Sequence, residues 1–110
     1  MIVGSTLTKL DGNPYYSPTF PRGGLAATFV VDATQLTAST EVTIGVQHKN
    51  GDDTTWTTLG SFDAITAVGA TQKDLTGLKE QIRFVYTFDA GDDATDAIHF
   101  LMQAPSWRPY

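Results

Sequence analysis

Two stretches of this chain alternate apolar and polar side chains with a period of two, and that pattern dictates pleated sheet. In Glu41-Val42-Thr43-Ile44-Gly45-Val46-Gln47-His48, the residues Val42, Ile44 and Val46 share one face and Glu41, Thr43 and Gln47 the other. In Gln81-Ile82-Arg83-Phe84-Val85-Tyr86-Thr87-Phe88, one face collects Ile82, Phe84, Tyr86 and Phe88. Successive side chains of a strand point to opposite faces, so each run predicts a strand with one side on a core. The pattern recurs at Leu25–Asp32, with Leu25, Ala27, Phe29 and Val31 together, and at Ala97–Met102, with Ile98, Phe100 and Met102 inward. Weaker strands are expected over residues 2–9 and 69–75.

Lys49-Asn50-Gly51-Asp52-Asp53 reads as a tight hairpin turn, with Asn50-Gly51 suited to positive φ. Thr54–Leu59 would then return as a strand whose Trp56 enters the core. No segment sustains a 3.6-residue apolar period, and only Asp63–Ala67 suggests a single helical turn. At 110 residues the chain is expected to form one domain spanning 1–110. The expected architecture is all-β: an antiparallel two-sheet sandwich, jelly-roll-like or immunoglobulin-like.

Two segments depart from strand texture. Residues 11–24 hold three prolines and three aromatics and end in Gly23-Gly24, which reads as a long loop or arm. Residues 104–110 end in Ser106-Trp107-Arg108-Pro109-Tyr110. Apolar side chains at a terminus need covering, and a neighbouring subunit is the expected cover.

Charge and composition narrow the partners. Seven Lys and Arg stand against twelve Asp and Glu, a formal charge of −5. Such a chain repels phosphate backbones and anionic lipid, so neither nucleic acid nor membrane is an expected partner. There is no cysteine for a disulfide or a thiolate metal site. The start lacks the basic and apolar regions of a signal peptide, and no apolar run approaches the roughly 20 residues of a membrane span, so cytoplasmic synthesis is expected.

Catalysis is not expected. His48 and His99 lie in no metal or triad motif, and the glutamates Glu41 and Glu80 flank strands. No cofactor is expected. Asp89, Asp92, Asp93 and Asp96 are weak candidates for calcium, because carboxylates in a flexible loop supply its ligands, but their order misses the EF-hand register. The competing reading is a solvated hairpin. Tyr15, Tyr16, Phe20, Arg22, Trp107, Arg108 and Tyr110 are the expected partner contacts, since Tyr, Trp and Arg dominate interface cores. Tyr15, Tyr16, Trp107 and Tyr110 would also serve as a sugar-stacking platform.

The segments Met1-Ile2-Val3-Gly4-Ser5, Tyr15–Gly24, Val46–Leu59 and Trp107-Arg108-Pro109-Tyr110 resemble small structural proteins of tailed bacteriophages. In those proteins a small β-sandwich decorates the capsid as cement. The resemblance implies a virion location on the capsid surface, with the major capsid protein and further copies of the chain as partners. A homo-oligomer, a trimer by preference, is the expected state. The alternatives are another virion component (tail, neck or coat protein) and a carbohydrate-binding module.

Overall fold

The computed structural model describes residues 3–8, 14–37, 40–89, 91–92 and 96–109. Residues 11–13 of the proline-rich segment, Asp93 and Tyr110 lie outside the described residues. Among the described residues ten strands are present: β1 (Val3–Thr8), β2 (Tyr15–Tyr16), β3 (Phe20–Pro21), β4 (Ala26–Leu36), β5 (Val42–Lys49), β6 (Thr57–Ser61), β7 (Gly69–Thr76), β8 (Gln81–Phe88), β9 (Ala97–Met102) and β10 (Ser106–Arg108). All pair antiparallel, in two sheets.

In the first sheet, β4 is central. Ala27 pairs with both Leu75 and Trp107, and Val31 with both Thr71 and Met102, so β7 lies along one edge of β4 and β10 and β9 along the other. The Gln103 N–H donates to the Val30 carbonyl at 3.0 Å, which carries the ladder across the gap between β9 and β10. β1 pairs with the far edge of β9. In the second sheet, β8 has β5 on one edge, with β6 beyond it, and β2 and β3 end to end on the other. Ser17 bridges β2 and β3: its N–H donates to the Phe84 carbonyl at 2.9 Å and its hydroxyl accepts the Phe84 N–H at 2.8 Å.

The sheets therefore read β1, then β9 with β10, then β4, then β7; and β2 with β3, then β8, then β5, then β6. Along the chain the pairs β5 with β6, β4 with β7, β2 and β3 with β8, and β1 with β9 nest one inside the next. Nested pairing of this kind is the jelly-roll order, and it differs from the immunoglobulin arrangement.

The core follows the alternation. Val42, Ile44 and Val46 of β5, and Ile82, Phe84, Tyr86 and Phe88 of β8, meet Ala27, Phe29, Val31, Ile98, Phe100 and Met102 of the opposite sheet, all buried. Aromatic rings link the layers. Phe84 packs on Phe20 at 5.5 Å and edge-on to Phe29 at 5.8 Å, and Phe29 packs edge-on to Trp107 at 6.2 Å. A second line runs from Tyr15 through Tyr86 to Phe100, at 6.2 and 5.1 Å. Each such pair adds about 0.5–1.5 kcal/mol beyond area burial.

Several expectations are corrected. Leu25 is 46% exposed, because the strand begins at Ala26 and Leu25 instead uses its carbonyl to accept the Leu78 N–H. Residues 63–67 form no helical turn: Ile65 exchanges two backbone hydrogen bonds with Val42 as a β-bridge. Gly51 does not adopt positive φ. The turn closes instead by the Asp53 N–H donating to the Asn50 carbonyl at 3.0 Å, while the Asp53 carboxylate accepts the Asn50 N–H at 2.8 Å. The glycines that need left-handed freedom are Gly69 and Gly77, at φ 138° and 70°.

The proline-rich segment, where described, is no free arm, since β2 and β3 close an edge of the second sheet. Its prolines suit that edge, where missing donors cost nothing. The tail likewise has a strand partner. Trp107 stands opposite Ala27, whose small side chain leaves room for the indole, and Gly23 lies so close that a Cβ there would sit 2.7 Å from the ring. Trp107 closes this chain's own core.

Trp107→Ala is therefore expected to lower stability by about 3 kcal/mol in urea unfolding, the cost of emptying a large aromatic site. Loss under 1 kcal/mol would place the indole outside the cooperative core.

Candidate functional site

The alternation that buries one face of β5 and β8 turns the other to solvent. Outward positions are Thr43, Gly45, Gln47 and Lys49 on β5, and Gln81, Arg83, Val85 and Thr87 on β8. They include two cations and no carboxylate, in a chain with net charge −5. Gln47 is in register with Arg83 on one side and Thr58 on the other. The Arg83 Nε donates to the Gln47 Oε1 at 2.8 Å, and the Gln47 Nε2 donates to the Thr58 hydroxyl at 3.3 Å. A polar line thus crosses β8, β5 and β6.

Two rings complete the surface. Tyr16 of β2 is in register with Val85, next outward from Arg83, and the Arg83 guanidinium lies 4.1 Å from its ring centroid. Trp56, just before β6, has the same guanidinium 4.5 Å from its centroid and the Lys49 ammonium at 5.3 Å. Tyr16, Arg83, Trp56 and Lys49 form a ladder of rings and cations on a rigid sheet. Trp56 does not enter the core as its sequence context predicts: it is only partly buried and lies on the outer face. A register shift between Val46 and Gln47 skips Leu59 and sets Thr58 opposite the outward Gln47, which turns Trp56, two residues earlier, to the same outer face.

What this arrangement does is hold a charge in place. The Nε bond and two rings fix the guanidinium, while its terminal N–H groups have no hydrogen-bond partner among the described residues. An Arg held this way presents a fork that fits a carboxylate with little further loss of freedom.

Of the expected contact residues that are described, Tyr16 alone joins this ladder. Tyr15 and Phe20 lean toward the core through Tyr86 and Phe84. Arg22 donates from Nη1 to the Leu78 carbonyl at 2.6 Å. Arg108 donates from Nη1 to the Thr28 hydroxyl at 2.8 Å, and that hydroxyl donates to the Asp74 carboxylate at 2.5 Å. Arg22, Trp107 and Arg108 gather around Gly23-Gly24 at a separate shallow groove. Gly24 passes against the Arg108 carbonyl, where a Cβ would collide.

The acidic loop does turn work. The Asp92 carboxylate accepts the N–H groups of Asp89 and Glu41 at 3.1 and 3.3 Å, and the Asp89 carboxylate accepts that of Gly91 at 3.0 Å. Asp92 and Asp96 are buried. Among the described residues no three His or acidic side chains converge as metal ligands.

The histidines sit apart. His99 faces outward from β9, its Nδ1 2.6 Å from the Thr6 hydroxyl. His48 is buried, and its Nδ1 accepts the Lys79 N–H at 3.2 Å. Glu80 caps the nearby turn, accepting the Gly51 N–H at 3.2 Å. Burial, and then the Lys79 charge, push the His48 imidazole below its ordinary value, with Asp53 opposing.

The chain matches no protein-family model, no curated protein and no solved structure.

A buried imidazole with a depressed pKa is neutral in both folded and unfolded states above the unfolded value of 6.5, so its stabilising role is intact there. Below that, the unfolded chain takes up the proton first, and stability falls toward the folded pKa. The melting temperature is expected to drop from pH 7 to pH 5, and His48→Gln, which keeps an acceptor, should make that drop shallower. An unchanged pH profile in the variant would contradict this origin.

Proposed function

We propose that this chain is a virion structural protein of a tailed bacteriophage, a capsid decoration protein that stabilises the head through homo-oligomeric contacts. The observation that carries the reading is the outward ladder of Tyr16, Arg83, Trp56 and Lys49 on the second sheet. Tyr, Trp and Arg dominate the energetics of protein–protein contacts, and rings held rigidly lose little entropy on docking. The surface therefore suits a protein partner.

Two further points support it. Jelly-roll sandwiches serve as viral capsid domains, although they also serve as lectins, so fold alone does not decide. The segments named above as similar to phage structural proteins supply the specific context. A cement protein gains strength by repeating modest contacts across a symmetric shell, which a small rigid domain can do without moving parts. Tail, neck or coat placement would use the same surface.

Sugar binding fits the ladder less well. Pyranose stacking needs an open ring face, and the Arg83 guanidinium takes one face of both Tyr16 and Trp56, leaving each ring at most the other.

The test is co-sedimentation of the purified protein with capsids assembled without it. Saturation at a simple fraction of the capsid-protein copies is the expected result. No binding to expanded shells overturns the decoration reading, and specific glycan binding lost in Trp56→Ala would move the chain to the lectin class.

A further inference from the structure

The outer face of the first sheet differs in charge from that of the second. Asp32 of β4 lies between buried Val31 and Ala33 in sequence, and so points outward. Its cross-strand neighbours are Ala70 on β7 and Leu101 on β9, and Val30 stands two residues before it on the same face. Among the described residues Asp32 makes no hydrogen bond or ion pair. A lone, half-buried carboxylate in an aliphatic patch is the counterpart of a stacked Arg83 with unused N–H groups.

We infer that copies of this chain associate head to tail, the outer face of the second sheet on the outer face of the first, with Arg83 of one copy on Asp32 of the next. The inference deepens the homo-oligomeric part of the proposed function by naming both faces. Charge complementarity selects the occupant. The second sheet's outer face carries Lys49 and Arg83 without a carboxylate, while the first carries Asp32 and Asp74 with Arg108 tied to Thr28. Two copies of the second face would repel each other, which excludes an isologous pairing there. Val30 and Leu101 offer Trp56 and Tyr16 apolar surface around the charge pair. The central strands β5 and β8 of the second sheet, eight residues each, give its outer face a length of about 27 Å. The contact is heterologous, so it closes a ring or extends a filament according to the rotation per step.

The experiment is sedimentation velocity of the full chain over a concentration series, comparing wild type, Arg83→Glu, Asp32→Arg and the double reversal. Wild type is expected to associate. Each single reversal should weaken association roughly tenfold or more, because like charges then face each other. The double reversal should restore it, which also shows that the variants fold. Arg83→Gln and Asp32→Asn should give intermediate losses. A monomeric wild type, an oligomer indifferent to either single reversal, or a double reversal that stays dissociated would each overturn the inference. A monomeric wild type that still saturates capsids would leave the decoration reading standing, so the two failures are distinguishable.

Discussion

Everything in this molecule depends on aromatic rings that pass from one sheet to the other. Phe84 and Tyr86, two residues apart on β8, each reach across the sandwich, Phe84 to Phe29 and Tyr86 to Phe100. The same two rings also reach sideways, to Phe20 and Tyr15 at the edge made by β2 and β3. Phe29 extends the first line to Trp107 of β10. Both ends of the chain's irregular sequence are thereby tied to one central strand. In a domain of this size the core is modest, so such edge aromatics supply stability that a larger protein would draw from its interior.

That use of the rings decides which residues are left for partners. Tyr15, Phe20 and Trp107 have the composition of contact residues, but most of their surface serves the chain itself. Tyr16 differs from Tyr15 by one position, and in a strand one position is a change of face. It stands outward, 45% exposed, against Arg83. In the proposed contact the role moves from the termini to the middle of the second sheet, where the backbone is held on both edges and the side chains are fixed before any partner arrives.

The strands were legible because their alternation is local. Val42, Ile44 and Val46, or Ile98, Phe100 and Met102, declare their faces within a few residues, and the structure keeps them. What stayed hidden was set by contacts between distant parts of the chain. Trp107 looks unprotected until β10 is seen to run beside Ala27. Arg83 looks like an ordinary polar position until β2 and the turn before β6 bring Tyr16 and Trp56 onto its guanidinium. The run Thr54-Thr55-Trp56-Thr57-Thr58 has no polar–apolar contrast, so the bulge that puts Trp56 outside leaves no mark in it. The choice of jelly roll over immunoglobulin order is likewise a matter of which strands pair, and alternation says nothing about that.

Above all, the exposed rings of the second sheet, and not the aromatic termini, are proposed to meet the partner. Hydroxyl-radical footprinting read by mass spectrometry measures this directly, comparing protein dilute enough to be monomeric with protein bound to capsids. Tyr16 and Trp56 should lose most of their labelling on binding, while Trp107, already packed on Phe29, changes little. Unchanged labelling of Tyr16 and Trp56 alongside strong protection of Trp107 would contradict the account and return the contact to the tail.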